Sequence, residues 1–116
     1  MAAAPEQLLR RLAADDERLL ETVMSPDGGD RPTEGGLDRR TRTLVRLAAL
    51  LAVGAPTATL QWAVELASAT GAGLDTLTGV LLAAGPAAGD AQVVQSAPRL
   101  ALALGFDVEL EGWDGT

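Results

Sequence analysis

Apolar side chains recur along this chain every three or four residues, which is the spacing of one face of an α-helix. The first such segment begins at Pro5, a residue that the first turn of a helix tolerates. It predicts one helix over residues 5–24 or two shorter helices separated near Asp15. Residues 25–36 contain four Gly and two Pro, which predicts a surface loop.

A second helix pattern follows this loop. Asp38 is predicted to cap its first turn, and Gly54 is predicted to end it. One stripe of this helix is expected to face the core, and it comprises Leu37, Thr41, Leu44, Leu47, Ala48 and Leu51.

Three further helices are predicted in the remainder of the chain. One begins at Pro56 or Thr57 and ends at Gly71, and a shorter one begins near Gly73 and is expected to break at "AGPAAGD", residues 84–90. The last covers about 90–104 and contains Pro98, which either kinks it or opens a second segment after Ser96. Residues 106–116 form an acidic tail.

Composition favours the same fold class. Hydrophobic residues make up 47% of the 116 residues but aromatic residues only 3%, so the interior must be built from Leu, Val and Ala. We therefore predict one all-α domain over residues 1–116, a compact bundle of five to six helices with its core over about 15–105.

Charge and missing residue types exclude several functions. The net charge is −7, which disfavours nucleic acid as a partner. The absence of Cys excludes thiol redox chemistry, and without His or Cys neither a metal site nor a cofactor is expected. The N-terminus lacks the order of a secretion signal and no segment is long enough to span a membrane, so a cytoplasmic protein is expected.

The helix that begins at Pro56 or Thr57 contains the main candidate site. Two of its faces are apolar, one with Leu60, Val64 and Ala67 and the other with Trp62, Leu66 and Ala69. A helix that is apolar on two sides needs two apolar neighbours, one of which can belong to another copy of the chain.

Between these faces Gln61 and Glu65 project side by side, because they are four residues apart. If the helix is buried, Glu65 is desolvated and its pKa rises towards a range useful for acid-base catalysis. Trp62 is then one wall of a pocket. The alternative is that Gln61 and Glu65 face solvent or an interface while Trp62 packs in a core or dimer contact.

A stripe of arginines marks the preceding helix. Arg39, Arg42 and Arg46 share one side of it, with Arg40 next to them. These cations either bind an anionic ligand or partner, or form a solvated face paired with the carboxylates of the protein.

Several ordered motifs resemble the carboxymuconolactone decarboxylase family, which includes the alkylhydroperoxidase D-like proteins. The family pattern Leu-Asp-x-x-Thr-Arg is matched by Leu37, Asp38, Thr41 and Arg42. The later Ala-Gly turns and the acidic helix start are matched by Ala69 to Gly71, Asp75, and Ala88 with Gly89. The resemblance covers about residues 15–105.

This resemblance implies an all-α fold that assembles as a dimer, trimer or hexamer, with its active site at or near the second helix. The catalytic Cys-x-x-Cys and His of the family fall near Pro56, Thr59 and Ala63, none of which transfers a proton or attacks a peroxide. We therefore expect that the known chemistries are lost or replaced, and that only the architecture is kept.

Two functional hypotheses follow, with a third beside them. The first is a non-catalytic homo-oligomer that serves as a scaffold or binds a small ligand around Gln61, Trp62 and Arg42. The second is a divergent decarboxylase or lactone-acting enzyme with Glu65 as its acid-base residue and Gln61 or Arg42 orienting the substrate. The third is a protein that docks a partner through the arginine face.

Overall fold

The structure is a computed structural model that describes residues 4–24 and 36–106. These residues form helices and turns without any strand, which confirms the all-α prediction. The six helices are α1 (Pro5–Ala13), α2 (Glu17–Met24), α3 (Arg39–Ala52), α4 (Thr57–Ala69), α5 (Leu74–Ala88) and α6 (Asp90–Ala103). The predicted loop 25–36, except Gly36, and the predicted tail 106–116, except Phe106, lie outside the described residues.

The contacts within the chain group into two compact units. The boundary falls between Arg42 and Thr43, inside α3, so the first unit holds α1, α2 and the start of α3. The second unit holds the rest of α3 together with α4, α5 and α6.

Within the first unit, α1 and α2 are separated at Asp15, as the second alternative from the sequence predicted. Asp15 has φ +59, in the left-handed region that breaks a helix. Asp16 then caps α2, because the Leu19 amide donates to its Oδ1 at 3.1 Å. The guanidinium of Arg11 also donates to Oδ2 at 2.8 Å, and this hydrogen bond is the main reason why the pKa of Asp16 is lowered.

The first turn of α3 is closed by the predicted cap. The backbone amide of Thr41 donates to Oδ1 of Asp38 at 2.7 Å. This amide is the largest cause that lowers the pKa of Asp38, followed by the Thr41 hydroxyl, with smaller contributions from the charges of Arg40 and Arg42.

The cap makes the start of α3 sensitive to acid. The pKa of Asp38 is lower in the folded chain than in the unfolded one. The Asp38 carboxylate therefore stabilises the fold fully above the unfolded pKa near 4, and this stabilisation is lost as the pH falls through the folded pKa. We expect the hydrogen-exchange protection factor of the Thr41 amide to fall over that range. Asp38→Asn keeps an acceptor oxygen that does not titrate and should show no such fall. An equal fall in both proteins would contradict the prediction.

The second unit is organised around one apolar cluster. Its buried members are almost all Leu and Ala, and they are Leu47, Leu51, Ala55, Leu60, Ala63, Val64, Ala67, Ala72, Leu77 and Leu100. Such small side chains allow the helices to approach closely, and α6 packs against both α4 and α5. Glycines in the left-handed region end α3 at Gly54, with φ +74, and α5 at Gly89, with φ +97.

One sequence prediction is confirmed and one needs correction here. The helix α5 ends inside "AGPAAGD", as predicted, but only at Gly89, after it has continued through Pro86 to Ala88. Pro86 is exposed in the last turn, so the carbonyl that it leaves without an amide donor lies on the side open to water. In α3 the buried residues are Thr43, Leu47 and Leu51, whereas Leu37, which was predicted to face the core, is exposed.

Candidate functional site

Among the residues that the structure describes, the helix α4 buries only one of its two apolar faces. Leu60, Val64 and Ala67 lie in the core, as predicted. On the other face Trp62 is 44% exposed, Leu66 is half-buried and Ala69 is exposed. The described residues therefore provide one of the two apolar neighbours that the sequence predicted for α4.

The polar candidates lie on the uncovered side of this helix. Gln61 and Glu65 are both exposed and lie one helical turn apart, beside the face that contains Trp62. The burial that would have desolvated Glu65 is not present in the single chain. The structure thus brings Gln61, Trp62 and Glu65 onto one surface but does not enclose them.

Arg46 completes this surface. Its guanidinium carbon lies 5.6 Å from the centre of the Trp62 ring, within the range of a cation–π interaction. Such a contact at a partly exposed site stabilises by about 0.5–1 kcal/mol. We call Arg46 and Trp62 the Arg46–Trp62 pair. It gives the surface an aromatic face beside a positive charge, a combination suited to a small molecule with an apolar body and a hydrogen-bond acceptor.

The sequence contained a signal for this pair that the helix-by-helix analysis missed. Residues 46 and 62 are equally distant from Gly54, where the chain turns between α3 and α4. This equal spacing from the turn is the feature of the sequence that relates the two residues.

Arg42, the remaining binding candidate, belongs to the first unit. It is half-buried, and its Nη1 donates to the carbonyl of Leu37 at 3.1 Å. This bond ties the Arg42 side chain to the residue before the Asp38 cap. This hydrogen bond therefore helps to shape the start of α3.

The positions that the family resemblance assigns to catalytic residues have structural roles. Pro56 lies directly before α4 with extended backbone angles, as a residue before a helix does. Ala63 is buried in the apolar cluster. A methyl group is thus packed against the core where the family pattern places an imidazole.

Polar side chains of α6 hold the turn between α3 and α4. The hydroxyl of the buried Ser96 donates to the carbonyl of Leu51 at 2.8 Å, and Nη1 of Arg99 donates to the carbonyl of Gly54 at 2.7 Å. These carbonyls lie at and just after the end of α3, where the Leu51 carbonyl otherwise accepts a long hydrogen bond from the Gly54 amide at 3.3 Å. Ser96 and Arg99 therefore position the chain just before α4, a role that the sequence analysis did not assign.

A narrow apolar cleft lies between the ends of α3, α5 and α6. It has about 160 Å³ of empty space, and Gln92 is the only polar residue among those that line it. The lining includes Leu51, Leu81, Ala84 and Val93, but none of the candidate residues of α4. Its space is too narrow for a water molecule, so the cleft does not provide a ligand site.

Together these features define an all-helical protein with a partly exposed aromatic and cationic surface on α4. Comparisons of the chain with protein-family models, with curated proteins and with solved structures returned no match. Over residues 4–24 and 36–106, no helix is long and apolar enough to cross a bilayer. Nor does this part of the chain bring together three acidic side chains that could hold a metal ion.

Proposed function

We propose that this protein is a carboxymuconolactone decarboxylase-like homo-oligomer that acts as a scaffold and binds a small ligand without catalysing a reaction on it. The observation that carries the proposal is the Arg46–Trp62 pair on the uncovered face of α4. A core residue would hide its ring, whereas Trp62 leaves 44% of its surface exposed next to a cation. The chain lacks Cys and His, so the chemistries of the resembled family have no reactive group here.

The ligand class follows from the groups on this surface. The Trp62 ring offers an apolar wall, and Arg46 offers N–H donors and a positive charge. A small apolar or weakly polar molecule fits the ring, and one with a carboxylate gains a charge-assisted hydrogen bond as well. Gln61 supplies a neutral polar side chain at the same surface. The exposed position of Glu65 gives the enzymatic alternative no support in the single chain.

The fluorescence of Trp62 tests this proposal. The chain has two Trp residues, so in the Trp113→Phe variant all Trp emission comes from Trp62. We expect saturable quenching when this variant is titrated with small lactones and aromatic carboxylates. In the Arg46→Met variant, which keeps an apolar stem but loses the charge, the carboxylates should bind more weakly and the neutral lactones about equally well.

Two results would contradict the ligand-binding proposal. If no compound of either class changes the Trp62 emission in a saturable way, the ligand-binding part of the proposal is wrong. If Arg46→Met weakens lactones and carboxylates equally, the charge of Arg46 is not the group that recognises the ligand.

A further inference from the structure

The hairpin of α5 and α6 has a second apolar surface, on the side away from the core. Only Leu77 of the fifteen residues of α5 is fully buried, although this helix is apolar on all sides. Leu82 in α5 is 69% exposed and Val94 in α6 is 73% exposed. A helix that is apolar all round is normally buried all round, so this exposure requires an explanation.

One close contact shows how the two helices face each other. A methyl group in place of the Gly85 hydrogen would lie 3.2 Å from Cγ2 of Val93, so these residues lie on the line where α5 and α6 touch. The two helices pack on each other after the single residue Gly89, and Leu77 near the start of α5 shares the apolar cluster with Leu100 near the end of α6, so we infer that they run in roughly opposite directions. Each residue turns a helix by about 100°. When this rotation is counted from Gly85 in α5 and from Val93 in α6, Leu82 and Val94 lie on the same side of the hairpin.

The opposite side of the hairpin holds the residues that enter the core. The same rotation places Leu77 and Ser96 there, and both are buried. The outer side also carries three small residues, Gly79, Ala97 and Ala101. We call this outer side the 82/94 face. The small side chains on this face allow another helix to approach closely.

Charge is nearly absent from the 82/94 face. The thirty residues from Leu74 to Ala103 include three charged ones, Asp75, Asp90 and Arg99. Arg99 is turned to the carbonyl of Gly54 on the core side, and the two Asp lie in the first turns of α5 and α6 at opposite ends of the hairpin. Water-exposed surfaces usually carry charge on about a quarter to a third of their residues, whereas interface centres are depleted of it.

We infer that the 82/94 face is the surface through which a second copy of this chain binds. This inference rests on the proposed assembly and names the surface that forms it. Helices of 14 and 15 residues side by side cover about 21 Å by about 20 Å, or roughly 400 Å² per copy in projection. Two copies together therefore contribute roughly 800 Å² in projection, before the relief of the side chains is added, against the about 1,000 Å² that a specific interface needs.

This arrangement separates assembly from ligand binding. A symmetric pairing through the 82/94 face brings two uncharged centres together and leaves Asp75 and Asp90 at the rim. It does not use the α4 surface, so the Arg46–Trp62 pair stays open to a small molecule in the assembled protein.

The test is the molar mass of three variants by size-exclusion chromatography with light scattering. We expect the full chain to assemble, and Leu82→Glu with Val94→Glu to reduce the mass to the 11.9 kDa of one chain while helicity by circular dichroism is kept. Val53→Glu places the same charge on an exposed apolar residue of the α3–α4 turn, and Ala69→Arg places a charge on the uncovered face of α4. Both should remain assembled.

The outcomes separate the inference from the proposed function. If the unmodified chain is a monomer, the proposed assembly and this surface both fail. If the chain assembles and the Leu82 and Val94 variant does so equally well, the assembly stands and the 82/94 face is wrong. If Ala69→Arg alone dissociates it, the uncovered face of α4 is the interface instead.

A chemical probe gives a second readout that does not depend on dissociation. Because the chain has no Cys, a single thiol introduced by V94C or V53C reports on its own position alone. Alkylation by iodoacetamide should be several-fold slower for V94C in the assembled protein than for V53C. Equal rates in assembled protein would overturn the inference.

Discussion

Replacing Leu60 by Ala should lower the free energy of unfolding by about 3–5 kcal/mol. Leu60 is fully buried in α4, among other Leu and Ala side chains of the apolar cluster. The neighbouring Ala63 and Ala67 already bring backbones close together and have no long side chain that could move into the space. The variant therefore keeps a cavity in addition to losing the transfer energy of the removed carbons.

Urea unfolding followed by circular dichroism measures this effect. Domains of this size are stable by about 5–15 kcal/mol, so the midpoint should fall steeply while the slope with urea stays constant. Val53→Ala removes apolar atoms from a residue that is exposed in the turn, and it should change stability by less than about 0.5 kcal/mol. A loss of similar size in both variants would show that the apolar cluster is not closed around Leu60.

Replacing Arg99 by Met should cost about 1.5–3 kcal/mol of stability. Met fills the space of the Arg stem but removes the donor that lies 2.7 Å from the carbonyl of Gly54. That carbonyl lies in the turn between α3 and α4, where Gly54 has φ +74, and Met leaves it without the guanidinium donor. We expect Arg99→Lys to recover part of the loss, since Lys keeps the charge but not the planar group.

Arg10→Met is the matched control for this prediction. Arg10 forms a hydrogen-bonded pair with Glu6 at the same 2.7 Å, but both side chains are largely exposed, so its loss should have no measurable effect. The comparison thus tests whether burial and a distant backbone acceptor give Arg99 its effect. If Arg99→Met is as stable as Arg10→Met, Arg99 does not hold the turn.

The boundaries that could be predicted from the sequence are those fixed by neighbours in the chain. Asp38 caps α3 through an amide three residues away, and Asp15 and Gly54 interrupt the helix through their own backbone angles. The break predicted in "AGPAAGD" falls at Gly89, while Pro86 stays helical because the effect of a proline depends on which side of α5 faces water. That side is decided by the packing of α5 on α6.

The candidate site, too, was predicted only in part from the sequence. The adjacency of Gln61, Trp62 and Glu65 followed from the helical repeat, and the structure places them on one surface. Their exposure could not be predicted from the sequence. An apolar face of a helix indicates that another apolar surface covers it, but not whether that surface belongs to the same chain. The position of Arg46 over Trp62 needed the pairing of two helices as well.

The sequence by itself determined the helical class and the absence of thiol and imidazole chemistry, since both depend only on which residues are present and how they repeat. Tertiary structure alone decided that Ser96 and Arg99 would hold carbonyls 45 residues away, that Trp62 would meet Arg46, and that Leu82 and Val94 would remain exposed. The physical reason is that these contacts depend on the rotation and approach of whole helices. Those are set by the combined packing of many small side chains, and no local stretch of the chain contains that information.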